Sequence, residues 1–193
     1  MIVLVLPDIP AEDRLLAQAR RGNQQATMRI YEAYFPPIYQ FIRLRVGDPH
    51  AAEDLASDVF VKFVTALRGK NAPSHSLRGW LFRVARNTIA DYYGKEKQVA
   101  TETLEDWVPA LDDDNPESQF MRTLDIERAR QAMRMLAAEQ QEVLILRFGQ
   151  LLSLQETADV MNKTISAVKS LQFRAVDTLR RILGEMQLEN QHD

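Results

Sequence analysis

From residue 98 to residue 118, the regular spacing of apolar side chains seen in the rest of the chain is lost. The stretch holds Pro109, Pro116 and the run Asp112–Asp113–Asp114, and residues 98–117 carry seven acidic side chains and no basic one. Such a segment buries too little apolar surface to offset the entropy of ordering it. One continuous core is therefore excluded, and the chain reads as two modules joined by a strap. Residues 11–46 are helical in pattern, with breaks expected at Gly22–Asn23 and Pro36–Pro37, and Gly47–Asp48–Pro49 closes that block as a turn. From Ala51 to Leu67, the apolar positions Leu55, Val59, Phe63 and Leu67 repeat every four residues, the mark of an amphipathic helix. Residues 69–76 are a loop by composition. Leu77 to Tyr93 is again helical, with Gly94 expected to end it. Helical patterning resumes at 119–148 and continues in a block at about 125–184. No stretch alternates as a strand does. The fold class expected is all-α, with an N-terminal module at 11–97, an acidic linker at 98–122 and a C-terminal module at 123–186.

The net charge of the 193 residues is −3, which excludes a uniformly basic coat. Along the chain the charge is uneven. Residues 68–97 carry a net +5 (Arg68, Lys70, Arg78, Arg83, Arg86, Lys95 and Lys97 against Asp91 and Glu96), residues 98–117 carry −7, and residues 163–181 carry +4. A single basic island is commonly a solvated face. Two islands, each on an expected helix, point to a polyanion. With no Cys, disulfides, thiolate metal sites and cysteine nucleophiles are excluded together, and a reducing, cytoplasmic setting fits. No apolar run approaches the ~20 residues that span a bilayer. Met1–Leu6 is apolar, but it lacks a basic flank and meets Pro7, so it is expected to be a loosely docked terminus with no membrane insertion.

The C-terminal module carries a helix-turn-helix pattern. Ser153-Leu154-Gln155-Glu156 is a capping box: the Ser hydroxyl can accept the N3 amide, and the Glu can reach back to the Ser amide. It opens a short helix, Leu154–Met161. Asn162 and Lys163 form a turn, where Asn tolerates the left-handed conformation. Thr164 is a good N-cap for a helix from Ile165 to about Ile182. Val168, Leu171, Ala175 and Leu179 form its inward stripe. Thr164, Ser166, Lys169, Ser170, Phe173 and Arg174 fall on or near its outer side. Lysine and arginine suit phosphates or guanine edges, serine suits a phosphate or base, and phenylalanine suits a thymine methyl. The plainer account is a helical hairpin with a solvated basic face.

The central stretch is Leu77-Arg78-Gly79-Trp80-Leu81-Phe82-Arg83-Val84-Ala85-Arg86-Asn87. Trp80, Arg83 and Asn87 lie at i, i+3 and i+7 on one side of the helix, with Arg86 on its border. An aromatic ring, guanidiniums and an amide on one face suit splayed single-stranded bases. The preceding loop, including Lys70, Asn71, Ser74 and His75, could close over an extruded base. The competing account makes Trp80 a core residue and the arginines ordinary surface.

In this order, these motifs resemble the extracytoplasmic-function (ECF) group of bacterial RNA polymerase sigma factors. The matching text is Ala52-Glu53-Asp54-Leu55-Ala56-Ser57-Asp58-Val59-Phe60, then Gly79 to Thr88, Glu142-Val143-Leu144-Ile145-Leu146-Arg147-Phe148, and Ala167-Val168-Lys169-Ser170. The resemblance covers roughly 11–184.

The resemblance implies an alternative sigma factor that binds core RNA polymerase and directs promoter-specific transcription initiation. It implies that the helix after Asp54 docks on the β′ clamp helices, with Asp54, Ser57, Asp58, Val61 and Lys62 as contacts. It places the 70–76 loop, with Arg83, Arg86 and Asn87, on melted −10 DNA. It places the helix-turn-helix on −35 duplex, resting on the β flap. An anti-sigma factor is a partner by family analogy. Several positions depart from the family pattern: Ser57 for Gln, Leu151 and Asn162 for Gly, and Leu171–Gln172 for Arg–Leu. A linker of ~25 residues spans at most ~90 Å. Elements ~20–25 base pairs apart are separated by ~70–85 Å, so both could be engaged together.

No enzyme activity, cofactor or metal is expected. His50, His75 and His192 are scattered, and no Gly-rich phosphate loop appears. The alternative function is a one-component helix-turn-helix regulator that binds duplex DNA without polymerase, which leaves the Trp80–Asn87 motif idle.

Overall fold

The structure is a computed structural model that describes residues 9–69, 73, 76–95, 128–129 and 131–189. The described residues are helices and turns, with no strand among them. The chain divides into two compact units. The expected linker, 98–122, lies outside the described residues, as does the N-terminal Met1–Leu6 segment. Among the described residues, no helix is long and apolar enough to cross a membrane.

The first unit is built from α1 (Ile9–Arg20), α2 (Gln24–Arg43), α3 (Pro49–Leu67) and α4 (Leu77–Lys95). Gly22, at φ +84°, makes the turn after α1, a conformation costly for any residue with a Cβ. Asn23 then caps α2, accepting from the Ala26 amide at 3.1 Å. Asp48 caps α3, accepting from the His50 amide at 3.0 Å, and Pro49 takes the first helical position, where no amide is needed. Ser76 opens α4 by accepting from the Gly79 amide at 2.9 Å.

The break expected at Pro36–Pro37 does not occur, and α2 runs through both prolines. Tyr34, Pro37, Ile38, Phe41 and Ile42 are all buried along it. Burying several such side chains at ~1.5–3 kcal/mol each outweighs the ~3 kcal/mol that each of the two interior prolines costs. Nor does Gly94 end α4, which continues to Lys95. Helix α2 is the hub of the unit and packs on the other three. Phe41 of α2 meets Phe82 of α4 edge-on at 5.3 Å, and the Arg45 guanidinium covers the Phe41 ring at 4.1 Å.

The second unit is centred on α5 (Ala138–Leu144) packed against α7 (Ile165–Glu189). Helical residues 131–134 precede α5, and α6 (Leu154–Met161) precedes α7. Helix α5 passes into a π-helical turn, Ile145–Gly149, closed by the Gln150 amide donating to the Ile145 carbonyl five residues back. Leu151 follows at φ +54°. A leucine there carries the left-handed penalty, and its side chain is 68% exposed, so packing does not offset the strain. Leu151→Gly should therefore stabilise this unit by roughly 0.5–1 kcal/mol, after the glycine's own entropy cost, as read from a denaturant melt. A fall in stability would show that the leucine makes a compensating contact.

Candidate nucleic-acid interfaces

The helix-turn-helix forms where its capping residues place it. The Ser153 hydroxyl accepts from the Glu156 amide at 3.1 Å, and the Glu156 carboxylate accepts from the Ser153 amide at 2.7 Å, the reciprocal pair of a capping box. Asn162 stands at φ +53°, and the Lys163 amide returns to the Ala158 carbonyl. Lys163 reaches Glu139 of α5 at 2.8 Å, tying the turn down. Thr164 caps α7, accepting from the Ala167 amide at 3.2 Å.

Along α7, Val168, Leu171 and Ala175 are buried as expected, and Leu179 is half-buried beside the fully inward Ile182. The helix extends to Glu189, well past the expected Ile182. Thr164, Ser166, Lys169, Ser170 and Arg174 are exposed, and Phe173 is 75% exposed. An aromatic ring so open to water is held there by no core contact, and it stands among donors and cations on the side away from the buried stripe.

Gln172, one of the positions that depart from the family pattern, has a role within the unit. Its side-chain oxygen accepts from the Arg147 guanidinium at 3.0 Å, and the same guanidinium donates to the Leu152 carbonyl. Arg147 thus braces α7 against the turn that follows the π segment. This pairing spans 25 residues, and no local pattern announces it.

On α4, Arg83 and Asn87 are exposed, and Arg86 is half-buried and engaged by neighbours. Trp80 is half-buried. Its ring meets Phe63 edge-on at 6.0 Å, yet it keeps a partly open face. Lys70, Asn71, Ser74 and His75 lie outside the described residues. Within that loop Pro73 is buried, and its carbonyl accepts from Arg20.

Arg78, counted in the basic island, is not a free charge. It is buried, 3.6 Å from the Glu12 carboxylate, which also accepts the Arg78 amide at 3.1 Å and the Tyr34 hydroxyl at 2.5 Å. Burial, and then the Glu12 charge, push the Tyr34 phenol far above its ordinary range, so it remains a donor. The free positive charge of the central island is therefore smaller than the sequence count.

On α3, Asp54, Ser57, Asp58 and Val61 are exposed on the outer side, Val61 at 64%. Lys62 is also exposed, but its ammonium donates to Thr88 of α4 at 2.9 Å, which joins this face to the −10 candidate helix. A cleft of about 630 Å³ opens beside Arg20, walled by Met28, Tyr31, Phe60, Phe63 and Val64. Because three helices build it, no single stretch of sequence signals it.

Comparison with known proteins bears on both units. Residues 30–99 match the family model for Sigma-70 region 2, and residues 132–181 match that for Sigma-70, region 4. The ECF RNA polymerase sigma factor BldN of Streptomyces coelicolor is 35% identical over 172 residues, which cover 89% of this chain and 65% of BldN. The chain thus spans just under two thirds of that relative's length. The RNA polymerase sigma factor YlaC of Bacillus subtilis is 32% identical over 148 residues, covering 76% of this chain and 85% of YlaC. Among solved structures, CnrH in complex with the cytosolic domain of CnrY superimposes with a TM-score of 0.65 at 24% identity. The match covers 91% of this chain and 98% of that one and speaks to the fold alone.

Proposed function

This chain belongs to the ECF sigma factors, and from that premise we propose how its two units divide the work of directing core RNA polymerase to a promoter. The outer side of α3, with Asp54, Ser57, Asp58 and Val61, docks on the β′ clamp helices. Lys62 supports that face through Thr88. The exposed side of α4, with Trp80, Arg83, Arg86 and Asn87, holds unstacked −10 bases together with Lys70, Asn71, Ser74 and His75. Helix α7 enters the major groove of the −35 duplex with Ser166, Lys169, Ser170, Phe173 and Arg174, while its unit rests on the β flap. The chain makes and breaks no bond. It acts in the cytoplasm, and an anti-sigma protein holds it inactive by covering these faces.

The observation that carries this reading is the exposure pattern of α7: a fully buried apolar stripe, and opposite it a stripe of hydroxyls, cations and one open aromatic ring. Run-off transcription with purified core polymerase, on promoters selected from a random DNA pool, tests it. Promoter-dependent transcripts are expected. If no promoter yields a transcript while a known sigma factor works, the reading fails. A protein that binds operators tightly by itself and ignores polymerase would instead be a one-component regulator.

Lys169→Ala should weaken −35 duplex binding by the holoenzyme about equally across sequences. It should also flatten the dependence of log affinity on log salt by ~0.9, one phosphate's worth. A sequence-selective loss would place Lys169 on a base instead.

A further inference from the structure

We propose that Arg20 is a positioning residue for −10 recognition, and that α1 serves as the strut on which the chain entering α4 is hung. The inference rests on the −10 reading above. Helix α1 packs mainly on α2 and touches α4 only lightly, so packing alone does not hold Pro73 and Arg78 to it. Polar bonds do this, one from near each end of α1. Glu12 accepts the Arg78 amide and lies against the Arg78 guanidinium, 66 residues away in sequence. Arg20, the last residue of the helix, donates to the Pro73 carbonyl, 53 residues away. The two anchors are eight residues apart, about 12 Å along a rigid helix. Between the points they hold, Ser76 caps α4, and Trp80 and Arg83 follow within two turns. The backbone that leads into the proposed base-binding face is therefore gripped on both sides of the α4 N-cap.

The two grips differ in kind. Glu12 is buried and its carboxylate is used by two helices, so it is part of the core. Arg20 is exposed and makes a single side-chain bond, to the carbonyl of the buried Pro73. Losing Arg20 leaves the fold standing and frees the backbone at Pro73. Base discrimination depends on contacts held to within a fraction of an ångström, so it is the property most exposed to that freedom.

The test is transcription by the full chain with core polymerase, from a selected promoter carrying each of the four bases in turn at every −10 position. Arg20→Ala is expected to lower the ratio of preferred to non-preferred base by about tenfold, near the value of one specific base contact. The −35 preference should be unchanged, and the melting midpoint should fall by only a few degrees, as for the loss of one hydrogen bond. Arg20→Lys, which keeps a charged donor of similar reach, should restore most of the ratio. An Arg20→Ala protein that discriminates at −10 like the wild type overturns the inference and leaves the −10 reading intact. Equal losses at −10 and −35 also overturn it, because they mark a general defect. A wild-type holoenzyme with no −10 preference overturns both.

Discussion

Arg83→Ala combined with Asn87→Ala should reduce run-off transcription about 100-fold, while −35 duplex binding by the same holoenzyme stays within about twofold of wild type. Both side chains are exposed on the same side of α4, so neither substitution opens a cavity or strands a buried partner. Their loss is then a loss of contacts to the promoter. A hydrogen bond to or from a charged group contributes roughly 1.5–3 kcal/mol and a neutral one roughly 0.5–1.5 kcal/mol. Together that is about 2–4.5 kcal/mol, and each 1.4 kcal/mol is a factor of ten. Permanganate footprinting of unpaired thymines separates the steps: duplex engagement should persist while the melted signal disappears. If −35 binding falls in step with transcription, the division of labour between the units is wrong. A premelted −10 bubble should recover much of the lost yield, because unpairing then costs nothing and only capture remains impaired.

Glu12→Ala is expected to destabilise the N-terminal unit by ~3–5 kcal/mol, the usual cost of removing one partner from a buried ion pair. The wild-type carboxylate is nearly enclosed and receives the Tyr34 hydroxyl, the Arg78 amide and the Arg78 guanidinium. Without it, a buried amide and a buried phenol lose their acceptor, and a buried cation loses the charge that pairs with it. Denaturant melts of the full chain measure the loss. Tyr34→Phe, which removes one donor and leaves the ion pair, should cost only ~1 kcal/mol. Similar losses for the two variants would mean that the carboxylate is no better compensated than a neutral acceptor. The same network links the fold to the proposed function, because Arg78 stands two residues before Trp80 on the helix proposed to hold −10 DNA.

How much of this was legible beforehand depended on the range over which each signal acts. The capping box at Ser153–Glu156, the left-handed Asn162 and the Thr164 cap all appear where their residues predict, since each is a hydrogen bond or backbone preference completed within one turn. The buried stripe Val168, Leu171 and Ala175 followed from helical period alone. The Pro36–Pro37 break was misjudged because a local rule was outweighed by burial along α2. Arg78 counts toward the basic island in the sequence, but its partner lies 66 residues away on another helix, which a count along the chain does not register. Arg20 and Gln172 carry no local signal for a similar reason, since their partners lie 53 and 25 residues away.

Helical period, capping chemistry and the acidic, proline-bearing stretch at 98–118 were enough by themselves to determine that this chain is helical, bimodular and equipped with a helix-turn-helix. These properties depend on residues within a few positions of one another, and the sequence lists those neighbours directly. Which charges are free, which are locked into the core, and how α1 grips the entry to α4 were decided only by the tertiary structure. An ion pair or carbonyl bond across 53 or 66 residues exists only once the helices have packed. Until then, an arginine bound for the interior and one bound for DNA look alike in the sequence.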